Sequence, residues 1–190
     1  MRWRACSVPV AALAASALMT LGCDSILYGE GSLYLWNGTE HPTTFIVAGT
    51  TPGEVTLKYE RGQLLEGLVA GTYTVTPLRK GVPLAPVEIT LLQDRLTVYN
   101  HEGVGCFART DVAGMYRRGR DPVRLLEIYR GEKVLALQDA IAIPPGQRLP
   151  VEAPRLSGEA VFQRLVVVPC KLTKGDRADS EVADFVRRLR

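Results

Sequence analysis

Apolar and polar positions alternate in short runs along most of the chain, and that spacing predicts strands. Leu33-Tyr34-Leu35-Trp36 is a compact apolar run that meets Asn37-Gly38, a pair that favours a hairpin. Thr43 to Val47, rich in β-branched and aromatic residues, is the expected return strand. From Glu54 to Glu60 the pattern is strictly alternating: Val55, Leu57 and Tyr59 share one face, and Glu54, Thr56 and Lys58 share the other. Arg61-Gly62 reads as the next turn. Leu68 to Val75 reads as a further strand, with Tyr73 two residues past Gly71 in the arrangement of a tyrosine corner, where the hydroxyl bonds back to the backbone upstream. Lys80-Gly81 and Gln93-Asp94 are turn signals around strands at Val87 to Leu92 and Leu96 to Tyr99.

After Gly103-Val104-Gly105 the same style resumes without repeating the sequence. Cys106 to Thr110 and Val112 to Tyr116 read as strands, and Arg117 to Pro122 as a loop. Val123 to Tyr129 and Lys133 to Leu137, joined at Arg130-Gly131, read as a hairpin. Ala140 to Ile143 precedes a Pro144-Pro145-Gly146 turn, and Ala160 to Val168 is the most apolar strand of this half. At the end Val182, Phe185, Val186 and Leu189 fall at helical spacing, with Asp179 or Ser180 as the expected cap. The expected fold is therefore mainly β: a Greek-key or immunoglobulin-like sandwich over residues 32–101, a second small β unit over 104–173, and a short amphipathic helix over 176–190.

The first 22 residues break this pattern. Arg2 and Arg4 precede an almost unbroken apolar run from Val8 to Leu21, closed by Gly22 and Cys23. A basic start, an apolar core and a small residue at the end make a secretory signal peptide. The run is shorter than the roughly 20 apolar residues a membrane-spanning helix needs. Thr20-Leu21-Gly22-Cys23 resembles the lipobox of bacterial lipoproteins, with Thr20 where that class prefers Leu. The resemblance implies cleavage before Cys23, acylation of Cys23 with fatty chains such as palmitate, a tether over 23–31, and residence on a membrane of the bacterial envelope. Two or more acyl chains hold a protein stably, because each buried CH₂ contributes about 0.8 kcal/mol.

Cleavage there changes the charge. The chain carries 23 Lys and Arg against 20 Asp and Glu, and the cut removes Arg2 and Arg4, so the formal charge falls from +3 to about +1. Nothing in that balance predicts a nucleic-acid partner. The cut also removes Cys6, and lipid takes Cys23. Cys106 and Cys170 are left, and in an exported protein such a pair reads as a disulfide, the alternative being two buried free thiols.

Candidate chemistry is sparse. His41 and His101 are the two histidines, each with polar neighbours, and both read as turn residues. Glu127, Glu132, Asp139 and Glu152 are scattered. No motif for a metalloprotease, a serine hydrolase or a phosphate-binding loop occurs, so no catalytic residue, metal site or cofactor is assigned. Asn37-Gly38-Thr39 fits a glycosylation acceptor but is read as a turn. Arg117, Arg118 and Arg120, with Arg124 beyond, are the one concentrated charge, suited to an anionic partner such as a lipid headgroup or an acidic protein. The expected function is a lipid-anchored, non-catalytic binding or scaffolding protein of the cell envelope, with the membrane and an envelope protein as partners. The alternative is an envelope hydrolase that acts on carbohydrate or peptidoglycan through a carboxylate site.

Overall fold

The computed structural model describes residues 29–116, 123–137, 141, 143–149 and 162–189. The protein is mainly β, with one short C-terminal helix. Among the described residues twelve strands form three sheets. β1 (Glu30–Asn37) is the key to their arrangement. It pairs antiparallel with β4 (Arg61–Val69) and parallel with β8 (Leu96–Asn100), and β8 pairs in turn with β11 (Val134–Ala136). The facing sheet has β2 (Thr43–Ala48) between β3 (Gly53–Leu57) and β5 (Gly71–Arg79). β6 (Val82–Pro83) and β7 (Val87–Leu91) both pair with β5. In the third sheet β9 (Cys106–Asp111) lies between β10 (Arg124–Arg130) and β12 (Gln163–Val168).

The apolar run of β1 explains why three layers form. Successive strand residues point to opposite faces. Leu33 and Leu35 enter the core against the β2–β3–β5–β7 sheet, beside Phe45, Val47, Tyr73 and Val75. Tyr34 and Trp36 enter a second core on the other side, with Phe107 of β9 and Leu165 of β12. β8 does the same, sending Tyr99 to the first core and Leu96 and Val98 to the second. A third core covers the remaining face of β9 and β12, where Ala108, Val166 and Val168 meet Val182 and Val186 of α1 (Ala178–Arg188). Val182 and Val186 are fully buried, so the helix packs its stripe on its own protein, while Phe185 is half-buried and Leu189 exposed.

Several local expectations are corrected. Asn37-Gly38 makes no hairpin, since β1 and β2 lie in different sheets. The Asn37 amide instead fastens a corner: it donates to the carbonyls of His41 (2.8 Å) and Leu57 (3.1 Å) and accepts from the Thr39 amide and hydroxyl. β3 stops at Leu57, and Tyr59 is exposed. The turn falls at Glu60, which has φ 49°, so Arg61-Gly62 opens a nine-residue strand. The run Leu68 to Val75 is divided between β4 and β5, which belong to different sheets. Lys80-Gly81 is a tight turn between β5 and β6, with φ 52° and 78°, both in the left-handed region that this kind of turn requires.

In the second half, Ala113–Tyr116 is a 3₁₀ helix, its first amide held by the Asp111 carboxylate at 2.9 Å. The expected hairpin of Val123–Tyr129 with Lys133–Leu137 is absent, because β11 completes the β4–β1–β8 sheet instead. The cause is burial: Leu135 and Leu137 find apolar partners at Tyr34, Leu96 and Val98. Ile143 makes a single parallel bridge to Arg164. Residues 138–140, 142, 150–161 and the loop 117–122 lie outside the described residues. α1 starts at Ala178 with Arg177 at its N-cap position, and neither Asp179 nor Ser180 caps it. The Ser180 hydroxyl donates to the Arg177 carbonyl at 2.9 Å, and Asp179 and Glu181 suit the positive end of the helix from within the first turn.

The tyrosine corner is present. Tyr73 is buried and its hydroxyl donates to the Val69 carbonyl at 2.9 Å, tying the start of β5 to the end of β4 across the two sheets. The Cys106–Cys170 disulfide is present as well, joining the start of β9 to the residue after Pro169 at the end of β12. Two outcomes are expected in urea titrations. Tyr73→Phe loses a partly buried hydrogen bond, which should lower the unfolding free energy by about 1 kcal/mol. Replacing both Cys106 and Cys170 by Ala opens a loop with a sequence separation of 64 and should cost about 4 kcal/mol on the chain-entropy account. A double variant as stable as the parent would contradict that account.

Candidate functional site

The sequence singled out Cys23, Arg117, Arg118 and Arg120, all of which fall outside the described residues, as do Asp139 and Glu152. Arg124 is exposed on β10. Glu127 is ion-paired with Arg109 at 2.9 Å and accepts from the Tyr129 hydroxyl at 2.6 Å. The backbone carbonyl of Glu132 accepts from Asn100. His41 is an exposed corner residue whose carbonyl accepts from Asn37. Among the described residues no three His, Cys, Asp or Glu side chains are grouped as a metal would require, and no helix is long and apolar enough to cross a membrane.

His101 is not the solvated turn residue that its neighbours imply. It is 2% exposed, edge-on to the Phe45 ring and 3.4 Å from the Tyr99 hydroxyl through Nδ1. Its Nε2 is buried without a hydrogen-bond partner, 3.9 Å from Glu102, which in turn holds Arg79 at 2.6 Å. Burial pushes the imidazole pKa down, Glu102 pushes it up, and Arg79 and Lys133 push it down further. Burial also pushes the Tyr99 phenol up to about 12, with Glu102 adding to the shift. Buried among rings and with its pKa pushed down, His101 is a neutral core group at the end of β8. Asn100 beside it binds both halves of the chain: its amide donates to Gly105 (3.0 Å) and Glu132 (2.9 Å).

A cavity of about 610 Å³ lies between β10 and α1, lined by Val123, Arg124 and Arg187; a candidate site with room for a ligand also lies along β12 where it faces β1 and β4. A cavity of about 580 Å³ is walled by Tyr34 and Trp36 on one side and by Arg164, Val166 and Val167 on the other. Arg61, Arg148 and Arg188 stand around it, with Glu60. A second cavity of about 450 Å³ shares Trp36, Glu60 and Val167 with the first and runs on to Val104, Phe185 and the disulfide. The two adjoin at Trp36 as parts of a groove along β12, the first carrying the arginines and the second mostly apolar apart from Glu60. Volumes of this size are in the range of small-molecule sites.

Local structure explains the walls. Trp36 stands opposite Gly62 in the β1–β4 register, and a Cβ at Gly62 would overlap the Tyr34 phenol, so glycine there lets the ring lie across β4. Gly105 and Gly38 likewise make room for the Trp36 indole, which also lies edge-on to Phe107 at 6.3 Å. Burial pushes the Tyr34 phenol up to about 12, so it stays a neutral hydroxyl. Arg164 is the unusual residue. It is 7% exposed and its Nη1 donates to the Leu189 carbonyl at 3.2 Å, while Nε is buried with no partner among the described residues. Burial pushes its pKa down and Tyr116 opposes this, yet guanidinium remains charged at any ordinary pH.

Sequence reasoning missed this site because its arginines come from four distant places: β4, the 147–149 segment, β12 and α1. The only local signal was Arg164 itself, a charge inside the most apolar strand of the second half. The chain matches no protein-family model, no curated protein and no solved structure.

His101 generates a prediction about pH. A lowered folded pKa means that the unfolded chain binds the extra proton first. The stabilising contribution is therefore complete above the unfolded value of about 6.5 and is lost as pH falls through that value toward the lowered folded one. The midpoint of thermal unfolding should drop between about pH 7 and pH 5, and His101→Phe, which fits among the Phe45 and Tyr99 rings, should flatten that part of the curve. An unchanged acid limb in the variant would assign the effect to other groups.

Proposed function

We propose that this is a lipid-anchored bacterial cell-envelope protein whose β region binds or scaffolds rather than catalyses. The observation that carries the reading is the division of its cysteines. Cys106 and Cys170 are consumed in a disulfide, the form expected of an exported chain in an oxidising compartment. Cys23 stands alone at the end of a basic-then-apolar leader, preceded by Gly22, where a lipoprotein is cut and acylated. β1 begins at Glu30, so an acylated Cys23 would hold the β1 end of the fold within about 25 Å of the bilayer, at about 3.5 Å per extended residue. The groove along β12, with room for a ligand between Tyr34, Trp36 and Arg164, supports a binding role.

Mass spectrometry of the protein extracted from bacterial membranes tests the anchor. The N-terminal peptide should begin at Cys23 and carry acyl chains, and Cys23→Ala should abolish the modification. A mature N-terminus elsewhere, or an unmodified Cys23, would overturn the proposal.

A further inference from the structure

Arg164 is a charge placed where charges are costly. Most buried arginines face a carboxylate, yet among the described residues none lies within ion-pairing distance of Arg164. Its bond to Leu189 satisfies the end of α1 and suits the negative pole of the helix. That leaves a planar five-donor group with its Nε unmet, lining a cavity where Arg61, Arg148 and Arg188 outnumber the single carboxylate of Glu60. The excess positive charge calls for an anion, and a guanidinium fork suits phosphate or carboxylate oxygens. Past Trp36 the adjoining cavity runs beside Val104, Val168 and Phe185, with Glu60 at the junction and no arginine or lysine among its described lining residues.

We infer that the groove binds an anionic amphiphile, its phosphate or carboxylate head at Arg164 and its apolar tail along Trp36 toward Phe185. This deepens the reading of the β region as a binding unit and does not depend on the anchor, because acylation of Cys23 and binding in the groove are read by separate measurements. A purely polar anion would leave the apolar part exposed to water, and a neutral amphiphile would leave the buried Nε of Arg164 without a partner, which costs more than an unmet group in water.

Trp36 reports on the site. The chain has two tryptophans, so Trp3→Phe leaves Trp36 as the only one. Titration of that protein as purified from the envelope with octyl phosphate, kept below its micelle concentration, should shift the Trp36 emission saturably. Octyl glucoside, with the same tail and no charge, and inorganic phosphate, with no tail, should each bind at least tenfold more weakly. Arg164→Gln should weaken octyl phosphate at least tenfold. Arg148→Glu, an exposed change that leaves the core untouched, should weaken it severalfold and serves if Arg164→Gln does not fold. Equal binding of octyl glucoside would remove the anion site. Equal binding of inorganic phosphate would remove the tail, and parent-like affinity in folded Arg164→Gln or Arg148→Glu would overturn the assignment. Because the readout is Trp36 fluorescence, these outcomes are independent of whether Cys23 proves to be acylated.

Discussion

β1 and β8 carry apolar side chains on both faces, and water must be kept from both. A strand with one apolar face needs one covering layer, and a strand with two needs two. The parallel pairing of β1 with β8 places two such strands side by side, from Ser32 opposite Leu96 to Trp36 opposite Asn100. The facing sheet of the sandwich covers one side with Phe45, Tyr73 and Ile89. The second β unit must cover the other, and does so with Phe107 and Leu165. Burying each such side chain contributes about 1.5–3 kcal/mol relative to leaving it exposed. The second unit is thus held to the first by the same strand that organises the sandwich, and β11 crossing over to β8 follows from the same demand.

Two corners let this stacking close. Buried Asn37 and Asn100 end β1 and β8, and each spends its amide on backbone carbonyls that would otherwise be stranded where strands leave a sheet. The disulfide acts at the same end of the molecule. It joins β9 to the chain just past β12, strands already paired from Cys106 opposite Val168 to Asp111 opposite Gln163. Its effect falls on the unfolded chain more than on the folded geometry. The groove is what remains between the layers. It lies where β12 has β9 on one side and, among the described residues, a single bridge from Ile143 on the other, with Trp36, Gly62 and the end of α1 around it. Arg164 charges that gap and gives an otherwise structural crevice a chemical preference.

Much of the architecture is legible in the order of residues. Alternation at Val55 and Leu57, the left-handed turn at Lys80-Gly81, and Tyr73 beyond Gly71 each point to the element found, because each acts through neighbours a few residues away. The apolar stripe of α1 is legible for the same reason. The errors share a cause too. Asn37-Gly38 was expected to fold β1 onto β2, and Arg130-Gly131 to fold β10 onto β11, since a turn dipeptide says that the chain reverses but not which strand receives it. Strand pairing is decided by burial among residues far apart in sequence.

The order of residues was enough to show a chain of short strands, a tyrosine corner at Tyr73, an amphipathic C-terminal helix and the pairing of Cys106 with Cys170. These follow from local conformational preference and from counting. Only the tertiary structure decided that His101 is a buried neutral group, that β11 belongs to the first sheet, and that Arg61, Arg148, Arg164 and Arg188 surround one cavity. Whether a charge is solvated or buried, and what stands beside it, depends on which layers meet, and that is set by the sum of apolar contacts over the whole chain.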